Sequence, residues 1–411
     1  MRISTFIDYF MVVALVFVSG NIVFQNRVTV FTVFILATIL FFYKKEKFDM
    51  SFIYLLVGLT VIFILQTFKF DFFPVFTFAG VYVRILIAYF ILKSVVDFPD
   101  KFVKVMYYIS IISFIFYIPA LLIPGFHELL VEKFLLYAKG GGERFSIMGL
   151  YTIVPGYEHR NAGPFWEMGA FGGYLLLALI INYLKKQELV NKTNIILILA
   201  LLTTQSSTGY IAFLLFLFFI FYSETKDVLI KIILTLSLLG IGYVAYSNLD
   251  FLGKKIEIQF EEVKKLINTS DLEGTSSDRF VSILKDWRDV QGHELIGRGP
   301  NDSTRFTTMY DTEKVFDIRT VGSTDMIVRF GLPFFLWMLF LIYRSFSTYS
   351  KYHWNNGNYM GISIVILILL LLTSETYFLY PLFWIALMLQ YTVDDVEEHD
   401  QGKEENKFYN L

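Results

Sequence analysis

Two long apolar stretches, residues 6–247 and 323–392, enclose a polar segment of about 75 residues, 248–322. Apolar runs of about 18 residues or more suit a lipid bilayer better than a water-facing fold. Of the 411 residues, 55% are hydrophobic and only 18% charged, where a soluble domain carries about 25% charge. The chain therefore belongs to the all-α integral membrane class. The polar island carries Arg279, Arg288, Arg298, Arg305 and Arg319 among Asp, Gly and Ser residues. Arginines gathered on one aqueous face, beside others at helix mouths, suit an anionic ligand.

A net charge of −2 points to no nucleic-acid partner. The absence of cysteine excludes disulfides, iron–sulfur clusters and thiol catalysis but leaves the compartment open. Met1–Thr5 runs into an apolar stretch with no small-residue cleavage site, so no cleavable signal is expected. The 45 Phe and 26 Tyr fit lipid-facing bulk and interfacial belts.

Twelve spans are predicted, at roughly 6–24, 28–43, 51–67, 73–94, 103–123, 163–184, 193–204, 208–223, 227–246, 323–344, 357–373 and 376–392. Lys44, Lys45, Lys47, Lys185, Lys186, Lys192, Arg344 and Lys351 mark the cytoplasmic side by the positive-inside rule. Keeping all of them inside requires two short helices through 193–222, turning at Gln205–Ser207. Residues 1–247 then hold nine spans with an outer loop at 124–162, 248–322 form a large helical outer loop, 323–392 hold three more spans, and 393–411 form a polar, acidic cytoplasmic tail expected to be disordered. Short helices of 12 and 16 residues reach only about 18 and 24 Å against a core of roughly 30 Å. The turn containing Ser206 and Ser207 is thus expected in a water-filled depression of the outer face.

The first outer loop ends in Glu158-His159-Arg160-Asn161-Ala162-Gly163-Pro164-Phe165-Trp166-Glu167. Pro164 fits the first turn of the next span, whose free N–H groups would favour anions. Arg160 sits at that mouth and Glu167 about one turn inside, and ionisable residues in spans are functional candidates. A simple ion pair joining helices would explain both equally well. In the island, apolar positions 252, 256, 260, 263 and 267 share one helical face, which suits the membrane surface. Ser276-Ser277-Asp278 then cap a helix with Arg279 in its first turn and Phe280, Leu284, Trp287 and Gln291 on one side. Next, Glu294-Leu-Ile-Gly-Arg-Gly-Pro-Asn-Asp302 makes a tight loop that holds Arg298, Gly299 and Asp302 where backbone can approach a ligand. Structural salt bridges are the alternative for each charge.

Three stretches together resemble the O-antigen polymerase and ligase superfamily, the Wzy and WaaL proteins. They are Arg160-x-x-Gly163 with Glu167-x-Gly-Ala170; the break at Gln205-Ser-Ser-Thr-Gly209; and Ser277-Asp-Arg279, Trp287, Leu295-Ile-Gly-Arg-Gly299 and Asp325-Met-Ile-Val-Arg-Phe-Gly331 in succession. The resemblance covers about residues 150–345. It implies a metal-independent glycosyltransferase with no cofactor, acting on undecaprenyl-diphosphate-linked oligosaccharide as donor and acceptor at the periplasmic face of a bacterial cytoplasmic membrane. A flippase and a chain-length regulator are the implied candidate partners. Some polymerases of the family carry an Arg with a Gly eleven residues later; here Arg160 precedes Gly172, and Arg319 precedes Gly331, by twelve. Ligases of the family usually place a His-Asn pair after the large loop, where this chain has Gly322-Ser-Thr-Asp325, so polymerase is favoured over ligase.

Such a transfer needs stabilisation of the diphosphate leaving group and a base for the acceptor hydroxyl. Arg160, Arg279 and Arg319 are assigned to the diphosphate, with Arg298 and Arg84 as further candidates, since arginine offers a bidentate fork. Base candidates are Glu167, Asp325 and His159, with Glu167 favoured. Gly299, Asp302, Ser206 and Ser207 are candidate substrate-loop residues. The competing class is a flippase for the same lipid-linked sugars, which would not need a large ordered outer loop and would spread charge through the bundle midplane.

Overall fold

Stretches of Leu, Ile, Val and Phe offer the backbone no polar side chain to bond, so their N–H and C=O groups bond one another as helices. The computed structural model describes residues 3–140, 143–248, 261, 264, 279–306, 320–354 and 357–393. Apart from Glu261 and Lys264, the expected surface helix 251–267 lies outside the described residues, as do Ser276–Asp278, Arg319 and 394–411.

The first half of the chain is α1 (Ile3–Gly20), α2 (Arg27–Tyr43), α3 (Met50–Phe70), α4 (Val75–Ser94), α5 (Phe98–Leu122) and α6 (Phe126–Phe134), then a small sheet, then α7 (Met168–Lys186), α8 (Lys192–Thr203), α9 (Ser207–Glu224) and α10 (Val228–Asn248). Polar caps set several starts. The Asn26 side chain accepts from Thr29 N, Asn191 from Asn194 N and Ser206 from Gly209 N, each satisfying a first-turn donor. Six described helices, α1, α3, α4, α5, α7 and α9, are long and apolar enough to cross a membrane, while α2, α8, Val228–Ser237 of α10 and a later helix are apolar but shorter. The chain is thus a mostly helical protein of membrane type. Helix α9, at 18 residues, is longer than the sequence suggested, whereas α8 keeps its 12.

Helix α7 is buried along almost its whole length and packs against α5, α8 and α9. Its glycines admit close neighbours. A Cβ at Gly173 would lie 2.0 Å from the Tyr377 hydroxyl oxygen.

The polar island and C-terminal part form α11 (Arg279–Val290), α12 (Asp302–Arg305), α13 (Gly322–Phe330), α14 (Leu332–His353), α15 (Gly357–Leu372) and α16 (Pro381–Trp384), the last flanked by 3-10 turns at Tyr377–Leu379 and Ile385–Leu387. Helix α11 packs on α13, α14 on α15 and α7, and α16 on α1 and α4.

Two of the expected spans are corrected, and the outer loop 124–162 contains a sheet that was not assigned from the sequence: β1 (Leu135–Lys139), β2 (Arg144–Ile147) and β3 (Tyr151–Ile153) form an antiparallel meander. Aromatic and β-branched residues fit its pleat. Met148 (φ 53°) and Gly149 (φ 71°) make the primed turn that joins β2 to β3, closed by Leu150 N donating to Ile147 O at 2.9 Å. The helix expected at 323–344 breaks at Gly331 (φ 86°, ψ 159°). There the loop at 295–299 runs alongside so closely that a Cβ at Gly331 would lie 2.4 Å from Leu295 O, and one at Gly297 would lie 2.7 Å from Gly331 N. Finally, 376–392 is not one helix. Pro381 lacks an N–H and holds Tyr380 extended (φ −120°, ψ 146°). The irregular backbone is satisfied by protein: Leu382 N donates to Ser19 Oγ (2.9 Å) and Trp384 Nε1 to Phe378 O (3.1 Å).

Candidate functional site

The mouth of α7 is assembled by the segment that leads into it. Asn161 is fully buried. Its Nδ2 donates to Ser113 Oγ and to Thr203 Oγ1, both at 3.0 Å, and its Oδ1 accepts from Gly163 N at 2.9 Å. Thr152 N donates to Gly163 O (2.7 Å) and Trp166 N to Gly20 O (2.9 Å). The segment is thereby strapped to α5, the end of α8, β3 and α1. Helix α7 begins at Met168, with Glu167 as its extended N-cap (φ −163°, ψ 170°). This corrects two expectations: Glu167 stands at the mouth rather than a turn inside, and Pro164 lies in the turn before the helix rather than in it.

Charges converge here. Arg160 Nε donates to Thr204 O (3.1 Å) and Nη2 to Gln205 O (2.9 Å), so its guanidinium holds the α8–α9 break while its plane lies over the Tyr157 ring. Arg279, at the start of α11, donates from Nη1 to Thr208 Oγ1 (3.2 Å) on the other side of that break. Arg144 of β2 pairs with Glu167, Nη2 to Oε2 at 3.6 Å, and its buried Nε has no hydrogen-bond partner among the described residues. Burial disfavours the Arg160 charge, Tyr157 and Glu167 favour it, and Arg279 opposes it.

A second acid completes the cluster. Glu375, in the turn after α15, is 6% exposed. Its Oε2 accepts from Trp166 Nε1 at 3.3 Å. Burial first, and then the Glu167 charge, push its carboxyl well above the usual carboxylate range, which favours its uncharged form. Three guanidinium groups (Arg144, Arg160 and Arg279) then gather with the carboxylates of Glu167 and of Glu143, which lies 4.0 Å from Arg144, an excess of positive charge where the free N–H groups of α7 begin.

Other candidates lie along the same break, or on α4. Ser206 is buried as the α9 cap, and Ser207 is half-buried in the first turn of α9. The His159 side chain is exposed; its carbonyl accepts from Tyr117 Oη (2.9 Å) and Gln205 Nε2 (3.1 Å). Arg84 of α4 donates weakly to Gly80 O (3.3 Å) and interacts electrostatically with Tyr380 and Arg329.

Arg298, Gly299, Asp302 and Asp325 belong to a separate assembly. Arg298 N donates to Val328 O (2.6 Å) and Gly299 N to Arg329 O (3.1 Å), with Gln66 of α3 bonding Ile296 O (2.5 Å) and Arg329 O (2.8 Å). Arg298 Nε donates to Thr304 O at 2.8 Å, and Asp302 is exposed at the start of α12. Asp325, a base candidate from the sequence, accepts from Arg305 Nε (2.7 Å) on Oδ1 and from Arg329 Nε (2.8 Å) on Oδ2. With both oxygens committed to guanidinium groups at 1% exposure, it is a structural ion-pair partner rather than a base.

Arg305 is the centre of this assembly. It is fully buried and also donates to Asp286 Oδ1 (2.5 Å) and Asp289 Oδ2 (3.1 Å).

Glu375, Arg144 and the Arg305 network were not assigned from the sequence. Glu375 carries a signal there: it is the sole Asp, Glu, Lys or Arg between Lys351 and Asp394. No protein-family model matches the chain, and no curated protein matches it.

Proposed function

We propose that the protein is a polysaccharide polymerase of the O-antigen type, transferring glycan from undecaprenyl diphosphate to a second lipid-linked repeat unit. The observation that carries this reading is the excess of guanidinium over carboxylate charge at the α7 mouth, beside one half-exposed glutamate. A diphosphate leaving group carries the opposite charge, and arginines in fixed positions meet it with little reorganisation. In the proposed step the acceptor hydroxyl gives its proton to Glu167 as its oxygen bonds to the donor's anomeric carbon. The bond from that carbon to the diphosphate oxygen breaks, and the electron pair leaves on the diphosphate, held by Arg144, Arg160 and Arg279. Arg319 remains a candidate from its sequence alone.

Purified protein given only lipid-linked repeats is expected to build a ladder of lengths. Arg144→Ala or Arg279→Ala is expected to reduce it by roughly 10²–10³-fold, with partial rescue by Lys, which lacks the planar fork. No ladder from repeats alone, together with transfer to an added lipid A–core acceptor, would make the protein a ligase. Movement of repeats across a bilayer without transfer would make it a flippase.

The reading also requires the α7 mouth on the periplasmic side. Because the chain has no cysteine, single-cysteine labelling is clean. Positions 45 and 186 are expected to be protected from an impermeant reagent added to intact cells, and 139 and 265 to react. Protection at 265 with labelling at 186 would invert the orientation.

A further inference from the structure

We infer that Glu375 is a positioning residue for Glu167, holding it as one half of a carboxyl–carboxylate pair that shares a single proton; this rests on Glu167 being the base in the reading above.

Both side chains bear on the same point of α7. A Cβ built at Gly169 would lie 2.7 Å from Glu375 Oε1 and 3.5 Å from Glu167 Oε1, so the bare backbone at 169 is what admits the pair. Glu375 is fixed from three sides. Trp166 Nε1 holds its Oε2. The neighbouring Tyr377 hydroxyl donates to Gly169 O at 2.9 Å. The start of α13 closes behind it, where a Cβ at Gly322 would lie 2.3 Å from Glu375 O. Its Oε1 alone has no hydrogen-bond partner among the described residues. A buried carboxylate with an unmet oxygen is costly. A carboxylic acid whose proton occupies that oxygen, next to a carboxylate able to accept it, is not.

The surroundings agree. Glu375 faces Glu167 and Trp166 at the mouth, Tyr174 on α7, Arg279 from α11, and Tyr377 and Tyr380 on its own segment. Burial and Glu167 favour its protonated form; Arg279 and the Trp166 indole favour the charged one. Only Glu167 reaches water, with a side chain 34% exposed. When Glu167 takes the acceptor proton the pair holds two. One is then released to water through Glu167, restoring the one-proton state for the next transfer.

Two carboxyls that share a proton titrate as a unit, in two steps pushed apart. The test is the pH profile of ladder formation by the full-length protein in bilayer discs, together with isotope-edited infrared spectra of the same protein without substrate. Wild type is expected to lose activity on the acid side as the pair fills with two protons, and on the alkaline side as the shared proton is lost. Glu375→Gln keeps the hydrogen bonds of the neutral acid but cannot ionise, so its alkaline fall should disappear while the acid fall remains. At pH values well above the range in which Asp286 titrates, the carbonyl band of a buried protonated carboxyl should be present in wild type, absent in Glu375→Gln and shifted in Glu167→Gln. A Glu375→Gln profile superimposable on wild type, or no such band in wild type, overturns the pair. Should Glu375→Gln fail to accumulate, the wild-type and Glu167→Gln spectra decide alone. The infrared readout needs no turnover: a band without a ladder sustains the pair and removes the polymerase reading, whereas a ladder without a band does the reverse.

Discussion

Glu167→Gln is expected to lower ladder formation by roughly 10²–10⁴-fold, the range that a positioned general base contributes. Lipid-linked donor should still bind. The amide keeps the shape of the N-cap, and removing a carboxylate beside Arg144, Arg160 and Arg279 leaves the anion site more positive. Apparent donor affinity should therefore hold or rise as turnover falls. This opposition separates a chemical role from a structural one, because a mouth that had lost its shape would lose both together. The ion pair from Arg144 to Glu167 is long, at 3.6 Å, and partly exposed, so little stability is at stake. The measurement is rate against donor concentration for protein of matched melting temperature. A Glu167→Gln variant with normal turnover would remove Glu167 as the base and leave His159, exposed on the same segment, as the group to test.

Much of the helical pattern is visible in the sequence, since apolar length and cap residues such as Asn26, Asn191 and Ser206 act locally. Breaks that come from distant contacts are not. The interruption at Gly331 exists because the chain at Leu295 and Gly297 passes against it, and the irregular stretch around Pro381 holds together because Ser19 of α1 and the chain's own carbonyls satisfy it. The same limit governs the site. Arg160 and Glu167 can be nominated from a helix mouth, but their surroundings cannot. Trp166 and Glu375 meet across 209 positions, and no local pattern shows which carboxylate sits beside another. Asp325 illustrates the converse. An acid near the start of a predicted span suits catalysis until Arg305 and Arg329 are seen to occupy both of its oxygens.

Arg305→Ala is expected to be the most destabilising single change in the polar island, at about 3–5 kcal/mol, the cost of removing one partner from a buried ion-pair network. Asp286, Asp289 and Asp325 converge on that guanidinium, and among the described residues only Arg329 would remain against Asp325. Burial of this network shows in Asp286. Burial, reinforced by Asp325 and opposed by Arg305, pushes its carboxyl up to about 6, even though Thr324 Oγ1 also donates to it at 2.5 Å. The folded state therefore binds a proton between about pH 4 and 6 that the unfolded chain does not hold. By linkage, this group's contribution makes stability fall as pH rises through that window and level off above it. Asp286→Asn removes the buried titrating carboxyl, so it should flatten this slope and raise the relative stability near pH 7, where Arg305→Ala lowers it. Thermal unfolding of the detergent-solubilised protein at a series of pH values, followed through Trp287 on α11, measures all three. Arg305→Ala melting within about 1 kcal/mol of wild type would mean that α11, α12 and α13 are held together by packing alone.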